Sequence, residues 1–158
     1  MPTGLTTTRA LFAVDPVRLV LIGTVDRHKR QDVAIAAVRE LHDRRLEAEL
    51  TLVGIEADRT YAAELRDQVR DLDLGRLVHF AGPTSDVAAP LQAADALLLP
   101  AGEVTPLVLM EAMALRTPVV AARMGSIPDV VTHDVHTVTG SHARTLQQAA
   151  SDLGLLAR

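Results

Sequence analysis

At 158 residues the chain has the length of one domain, and 48% hydrophobic content with only 2% aromatic residues calls for a core of Ala, Val and Leu, the mixture found where helices pack on buried parallel strands. Sixteen basic against twenty acidic residues leave a formal charge of −4 with no basic cluster, which argues against a nucleic-acid or anionic-membrane partner. The absence of cysteine excludes structural disulfides and thiolate metal sites, and no apolar run approaches the ~20 residues of a membrane span.

Met1 to Ala13 lacks the basic start and unbroken apolar stretch of a signal peptide, so a cytoplasmic location is expected. Residues 1–14 are Thr-rich and aperiodic and read as a leader or the remnant of a linker, ahead of one domain over residues 15–158. Asp15-Pro16 marks the boundary. Beyond it, short apolar runs alternate with amphipathic stretches. Strand Arg18 to Ile22 precedes helix Arg30 to Leu46, strand Glu49 to Val53 precedes helix Thr60 to Leu72, and strand Leu77 to Phe80 precedes helix Ser85 to Ala93. Strand Ala96 to Leu99 is followed by a helix near Thr105 to Leu115, and strand Val119 to Ala122 by a short helix near Ile127 to Val131. A last strand at Thr137 to Val138 leads to helix Ala143 to Leu153. Strands spaced by helices are the signature of a parallel sheet covered on both faces. The pattern therefore predicts an α/β, three-layer, Rossmann-like domain with a mainly parallel sheet of about six strands.

Two helices are informative in detail. In the first, Val33, Ala36, Ala37 and Leu41 recur at helical spacing while Arg30, Glu40, Arg44 and Arg45 can face water. In the helix from Thr105, Leu107, Val108, Leu109, Met110, Ala112, Met113 and Leu115 leave almost no polar face, which predicts deep burial with Glu111 as an anomaly.

Ligands of an open parallel sheet bind beyond the carboxyl ends of the strands, where helix amides can face an anion. The loops to consider are Gly23 to Lys29, Gly54 to Asp58, Gly82 to Asp86 and Ala101 to Pro106. In the last, Glu103 precedes Glu111 by eight positions, about 12 Å along a helix. A nucleotide sugar laid along the helix start then has its sugar hydroxyls by Glu103, its diphosphate at the helix amides and its ribose by Glu111. Ionised carboxylates accept hydrogen bonds from hydroxyls and repel phosphate, which suits them to the two ends. The plainer alternatives are a loop acid favourable to the helix dipole for Glu103 and a buried acid paired with an arginine for Glu111.

The segment Leu99-Pro-Ala-Gly-Glu-Val-Thr-Pro-Leu-Val-Leu-Met-Glu-Ala-Met-Ala-Leu-Arg-Thr-Pro-Val-Val-Ala121 resembles the donor-site signature of the retaining glycosyltransferases of family four, with its two glutamates separated by seven residues. Gly23 to Lys29 resembles that family's glycine loop leading to a lysine, Leu52-Val-Gly54 its second strand end and Val78-His-Phe-Ala-Gly82 its third. Gly125-Ser-Ile-Pro-Asp-Val-Val131 is similar to its Gly-Gly-Ile-Pro-Glu segment. The likeness runs over roughly residues 17 to 140 and covers the carboxy-terminal, donor-binding domain of a GT-B fold alone.

The resemblance implies a hexosyltransferase that takes a UDP- or GDP-linked sugar and transfers it with retention, without a metal or other cofactor. It implies catalytic roles for Lys29, at the departing diphosphate, and Glu103, at the transferred sugar. It implies donor binding by Gly23, Thr24, Gly54, Pro106, Leu107, Val108 and Glu111, with Phe80 to Pro83 bordering the base. The resemblance leaves no room for an amino-terminal acceptor domain in these residues; that domain is expected from the parent polypeptide or a partner chain, and the isolated chain is expected to be inactive. By local sequence alone, Lys29 also reads as a solvated lysine at a helix start, and Gly23 as an ordinary turn glycine.

The departures are informative. Thr24 stands where the family commonly has a second phosphate-binding cation, an arginine, and Pro106, Arg30, Arg116 and Thr137 stand where glycines are common. Arg27 or Arg30 is the expected substitute for the missing charge. His133-x-x-His136 has no third ligand in sight and reads as a loop. Asp71-Leu-Asp73 falls at a helix end and not after a strand, which points to solvation rather than metal binding. The alternatives are a non-catalytic nucleotide-binding or scaffold domain and half of a sugar-nucleotide epimerase.

Overall fold

The structure, a computed structural model, describes residues 16–101, 107–122, 125–127 and 137–140. Among these residues six strands and four helices follow in order: β1 (Val17–Ile22), α1 (Gln31–Asp43), β2 (Ala48–Val53), α2 (Arg59–Asp71), β3 (Val78–Gly82), α3 (Ala88–Ala93), β4 (Ala96–Leu99), α4 (Leu107–Ala114), β5 (Val119–Ala122) and β6 (Thr137–Gly140). The strands form one sheet in the order β3-β2-β1-β4-β5-β6. All five pairings are parallel, with β1 in register against β2 from Val17↔Ala48 to Ile22↔Val53 and against β4 at Leu19↔Ala96. The three-layer α/β fold expected from the alternation is thus observed. Residues 1–14 and the helix expected at Ala143 to Leu153 lie outside the described residues, as does all but Ile127 of the helix expected near Ile127 to Val131.

The period-2 alternation of the strands sorts their side chains into two cores. Leu19 and Leu21 of β1, Leu50 and Leu52 of β2, and Ala96 and Leu98 of β4 meet Ala34, Ile35 and Val38 of α1 and Tyr61, Ala62 and Leu65 of α2. On the opposite face, Val20, Leu97, Leu99, Val119 and Ala121 meet Leu91 of α3 and Leu109 and Ala112 of α4. With both faces covered, β4 and β5 are buried at every position. The aromatic-poor composition follows, because small and branched side chains fill the narrow space between helix and strand.

Three helices differ from expectation. In α1 the buried residues include Val33, Ala34, Ile35, Ala37, Val38 and Leu41, while Ala36 is exposed; the stripe sits one position round from the spacing expected. The third helix begins at Ala88 rather than Ser85, because Asp86 accepts hydrogen bonds from the amides of Ala88 and Ala89 and holds the preceding residues in a turn. Deep burial of α4 is corrected. Leu109 and Ala112 are buried, but Leu107 is 64% and Met110 54% exposed, and Glu111 and Ala114 are exposed with them. These four residues share one stripe at helical spacing, so α4 lies on the sheet by one side only.

The helix ends share a device. After α1, Leu46 N–H donates to Leu41 C=O and Arg45 N–H to His42 C=O. After α2, Leu74 donates to Val69 and Asp73 to Arg70, and after α4, Thr117 donates to Ala112 and Arg116 to Met113. This paired closure is the Schellman motif, which requires a left-handed residue at its turn. Arg45, Asp73 and Arg116 take that conformation, with φ of 61°, 55° and 59°.

Candidate functional site

In this strand order the chain runs one way from β1 to β2 and β3 and the other way through β4, β5 and β6, so the order reverses between β1 and β4. The crevice beyond the carboxyl ends of those two strands is where an open α/β sheet receives a ligand. The loop from Gly23 to Arg30 forms one wall, and the chain leading from Ala101 to α4 leaves the adjacent strand.

Glycines permit a close backbone approach on the β1 side. Gly54 packs its Cα against the Gly23 carbonyl so closely that a Cβ there would come within 1.8 Å of the Gly23 oxygen. Gly23 N–H donates to Val53 C=O and Gly54 N–H to Gly82 C=O. The glycines expected at the ends of β1, β2 and β3 are therefore linked along one edge. Any side chain at position 54 displaces the β1 end.

Beyond Gly23 the chain makes a tight turn organised by Asp26. Its carboxylate accepts from the Thr24 hydroxyl at 2.6 Å and from the His28 amide at 2.9 Å, and the Lys29 amide donates to the Asp26 carbonyl at 3.1 Å. Burial alone raises the Asp26 carboxyl, but these hydrogen bonds and nearby His28 leave it below its ordinary value. The turn folds Lys29 back: its Cδ and Cε lie 3.4 Å from where a Cβ on Gly23 would stand. The methylene stem of Lys29 thus lies across Gly23 at the end of β1, not out along α1 as a solvated helix-start lysine does.

Arg30 joins this turn to α1 in the left-handed region, at φ 54° and ψ 44°. That conformation explains why glycine is common here. Arg30 grips Asp32 through two hydrogen bonds of 3.1 Å, and Tyr61 O–H donates to the same carboxylate at 2.8 Å. Burial works to raise the Asp32 carboxyl, yet the Arg30 and Tyr61 hydrogen bonds and the Arg30 charge hold it below the usual carboxylate range. Burial pushes the Tyr61 phenol well above its ordinary value, and its hydrogen bond to Asp32 adds to the shift. Arg27 lies over the Tyr61 ring, 5.1 Å from its centroid, and pairs with Glu64 at 2.7 Å. Arg27 and Arg30, the expected substitutes for the phosphate-binding arginine, are both engaged with carboxylates around a cleft of about 360 Å³ lined by these two residues of the turn, Asp32 of α1 and residues of α2. Within that cleft Arg27 pairs with Glu64 and Arg30 with Asp32, so its charges offset one another.

Opposite the Lys29 turn, α4 starts at Leu107. As a crossover between parallel strands, it presents its amino end, including the amides near Leu107 and Val108, to the carboxyl edge. Glu111 lies one turn further along the exposed stripe. The alternative of a buried, arginine-paired Glu111 is thereby set aside. Glu103 and Pro106 fall outside the described residues. Phe80 packs against the α1/α2 core and is covered by Arg66, 4.8 Å from the ring centroid, itself paired with Glu56. The carboxyl edge is left with Gly82 and exposed Pro83 from that segment.

Asp71 and Asp73 are exposed at the end of α2, as their spacing suggests. His133 and His136 lie outside the described residues, among which no group of three or more His, Asp or Glu is placed to hold a metal ion. No described helix is long and apolar enough to cross a membrane. The elements missed from sequence are Asp26, Asp32, Tyr61 and Gln31. Asp26, three residues before the lysine, carries a readable turn signal; the others depend on contacts between helices.

Comparison with known proteins gives a consistent result. Residues 16–154 match the family described as Glycosyl transferases group 1. The amylovoran biosynthesis glycosyltransferase AmsK of Erwinia amylovora is 32% identical over 129 residues, taking in 76% of this chain and 31% of that protein. The chain thus spans about a third of the length of the curated relatives it matches. Anabaena Alr3699/HepE, solved in complex with UDP, shares the fold with a TM-score of 0.78 at 22% identity, over 99% of this chain and 46% of that one. The C-terminal domain of a group 1 glycosyl transferase, LpcC, from Francisella tularensis gives 0.74 at 22% identity, over 89% of this chain and 74% of that one.

Proposed function

The chain belongs to the glycosyl transferases of group 1, and from that premise we propose that it is the donor-binding part of an enzyme that moves a hexose from a UDP- or GDP-linked sugar to an acceptor with retention of configuration. The observation that carries this reading is that the Lys29 turn and the amino end of α4 flank the crevice between β1 and β4. The UDP bound to the similar fold of Alr3699/HepE supports UDP as the first nucleotide to try.

In this reading the diphosphate lies against the α4 amides near Leu107 and Val108, with Pro106 in the first turn, where its missing N–H costs little. Gly23 and Gly54 let the donor approach the backbone. Lys29 stabilises the negative charge that builds on the nucleotide as its bond to the anomeric carbon breaks, and the acceptor oxygen forms the new bond while its proton passes to the departing diphosphate. Glu111 accepts from the ribose hydroxyls and Glu103 from the sugar. Thr24 contributes its backbone, since its hydroxyl is turned to Asp26. The acceptor comes from a separate amino-terminal domain, supplied by the parent polypeptide or by a partner chain.

Charge at the diphosphate is balanced here by one lysine and helix amides, without a metal. Titration of the chain with UDP and GDP in a calorimeter tests this. We expect weak binding that is unchanged by chelator and weakened as salt rises, because screening acts on the partly exposed lysine. An absolute requirement for magnesium or manganese overturns the arrangement. A second reading, a non-catalytic scaffold domain, draws support from the engagement of Thr24, Arg27 and Arg30 within the protein; absence of binding to either nucleotide favours it.

A further inference from the structure

Gln31 opens α1 with its side chain buried, only 1% exposed. Its amide nitrogen donates to the Thr24 carbonyl at 2.8 Å, closing the loop that contains Lys29 from the inside. Its amide oxygen is buried and has no hydrogen-bond partner among the described residues. A polar head in that place adds nothing to core packing, and an apolar side chain of similar length fills the same space.

The loop needs a tether because the helix does not provide one. Arg30 is left-handed, so the helical geometry of α1 stops between Gln31 and Lys29, and the lysine does not inherit its place from the helix. Asp26 fixes the internal shape of the turn. Val25 ties the turn to the β2 loop: its N–H donates to Ile55 C=O, and its carbonyl accepts from Asp58 N–H. Gln31 alone among these groups joins the loop to α1 at Thr24, next to the glycine on which the lysine stem rests.

We propose that Gln31 is a positioning residue, whose hydrogen bond to the Thr24 carbonyl fixes the peptide beneath Lys29 and so sets where the lysine meets the donor diphosphate. The proposal rests on the donor-site reading above. Gln31→Met, Lys29→Ala and the double variant are titrated with UDP, while melting temperature and the amide exchange rates of His28 and Lys29 are followed by NMR. Gln31→Met is expected to melt at or above the wild-type temperature and to bind UDP about fivefold more weakly, the scale of one neutral hydrogen bond. In the Lys29→Ala background the same change is expected to alter affinity by less than about twofold, because a residue acting through the lysine has nothing left to act on. Gln31→Asn, which keeps the amide but withdraws it by one methylene, serves as a second variant and is expected to show the same loss. Wild-type affinity in the Gln31 variants, or an equal loss with and without Lys29, overturns the proposal. If the wild-type chain binds neither UDP nor GDP, the donor-site reading fails separately. Amide exchange then decides for Gln31: faster exchange at His28 and Lys29 with an unchanged melt supports the tether, and unchanged rates refute it.

Discussion

Glu111 stands on the exposed stripe of α4, so its carboxylate is free of the cost that a buried acid carries. Its replacement should therefore separate binding from stability. Glu111→Gln keeps the shape and removes the charge that accepts from the ribose hydroxyls in the proposed donor site; we expect UDP affinity to fall by about 1 to 3 kcal/mol and the stability to stay within about 0.5 kcal/mol of wild type. Calorimetry and thermal melting of the same preparation check both, and unaltered affinity in a folded variant removes Glu111 from the site. Residues differ in how plainly the sequence announces them. Lys29 is singled out by the resemblance and Glu111 by the acidic interruption of an apolar helix, and the structure puts the first in a turn after β1 and the second on the exposed stripe of α4. Gln31 is not singled out: a glutamine at a helix start reads as solvated, and its burial arises only because a left-handed Arg30 folds the preceding loop back over it.

At the scale of elements, three helices close with a left-handed residue that carries a side chain, although glycine enters that conformation without the steric penalty of a Cβ. Arg116 is exposed, and its backbone N–H bond to Met113 is one that glycine also makes. Arg116→Gly is expected to raise stability by about 0.5 to 1 kcal/mol, the strain relieved less the greater freedom of the unfolded chain. Urea denaturation measures this, and a loss of stability shows that the arginine side chain holds the end of α4 in a way its backbone does not. The succession of strands and helices was readable from alternation, since Leu97 and Leu98, or Val119 and Val120, are buried on opposite faces and leave unbroken apolar runs; the order of the strands in the sheet was not. Helix ends were less readable: α1 stops at Asp43 and not at Leu46 because Arg45 closes it without the punctuation that glycine or proline supplies, whereas the end of α3 at Ala93 falls where expected. The exposed side of α4 was hidden for a different reason: Leu107 and Met110 are apolar, and a sequence read by hydropathy sends them inward.

At the scale of the molecule, the described part of the crevice is built on the carboxyl edge of a single sheet, between the Lys29 turn and the start of α4. Transfer with retention needs an acceptor hydroxyl held against the anomeric carbon on the face that the nucleotide leaves, and this positioning is worth several kcal/mol of barrier. We expect the purified chain, incubated with a UDP-sugar and a candidate acceptor, to release no transfer product, and addition of a complementary amino-terminal domain to restore turnover. Robust transfer by the monomeric chain alone overturns the division of labour proposed here. The central position of β1 also reaches beyond the site, into the history of the chain during its synthesis. Arg18, at the start of β1, grips Asp95, 77 residues later, before β4. A nascent chain that has emerged only as far as Gly82 has both helices of the α1/α2 side and lacks there only Ala96, Leu98 and Val120, yet Val20 and Val53 on the other side still await α3, β4 and α4. Until the ribosome has delivered those elements, half of the sheet is an open apolar surface, and that interval is when the chain is most exposed to wrong partners.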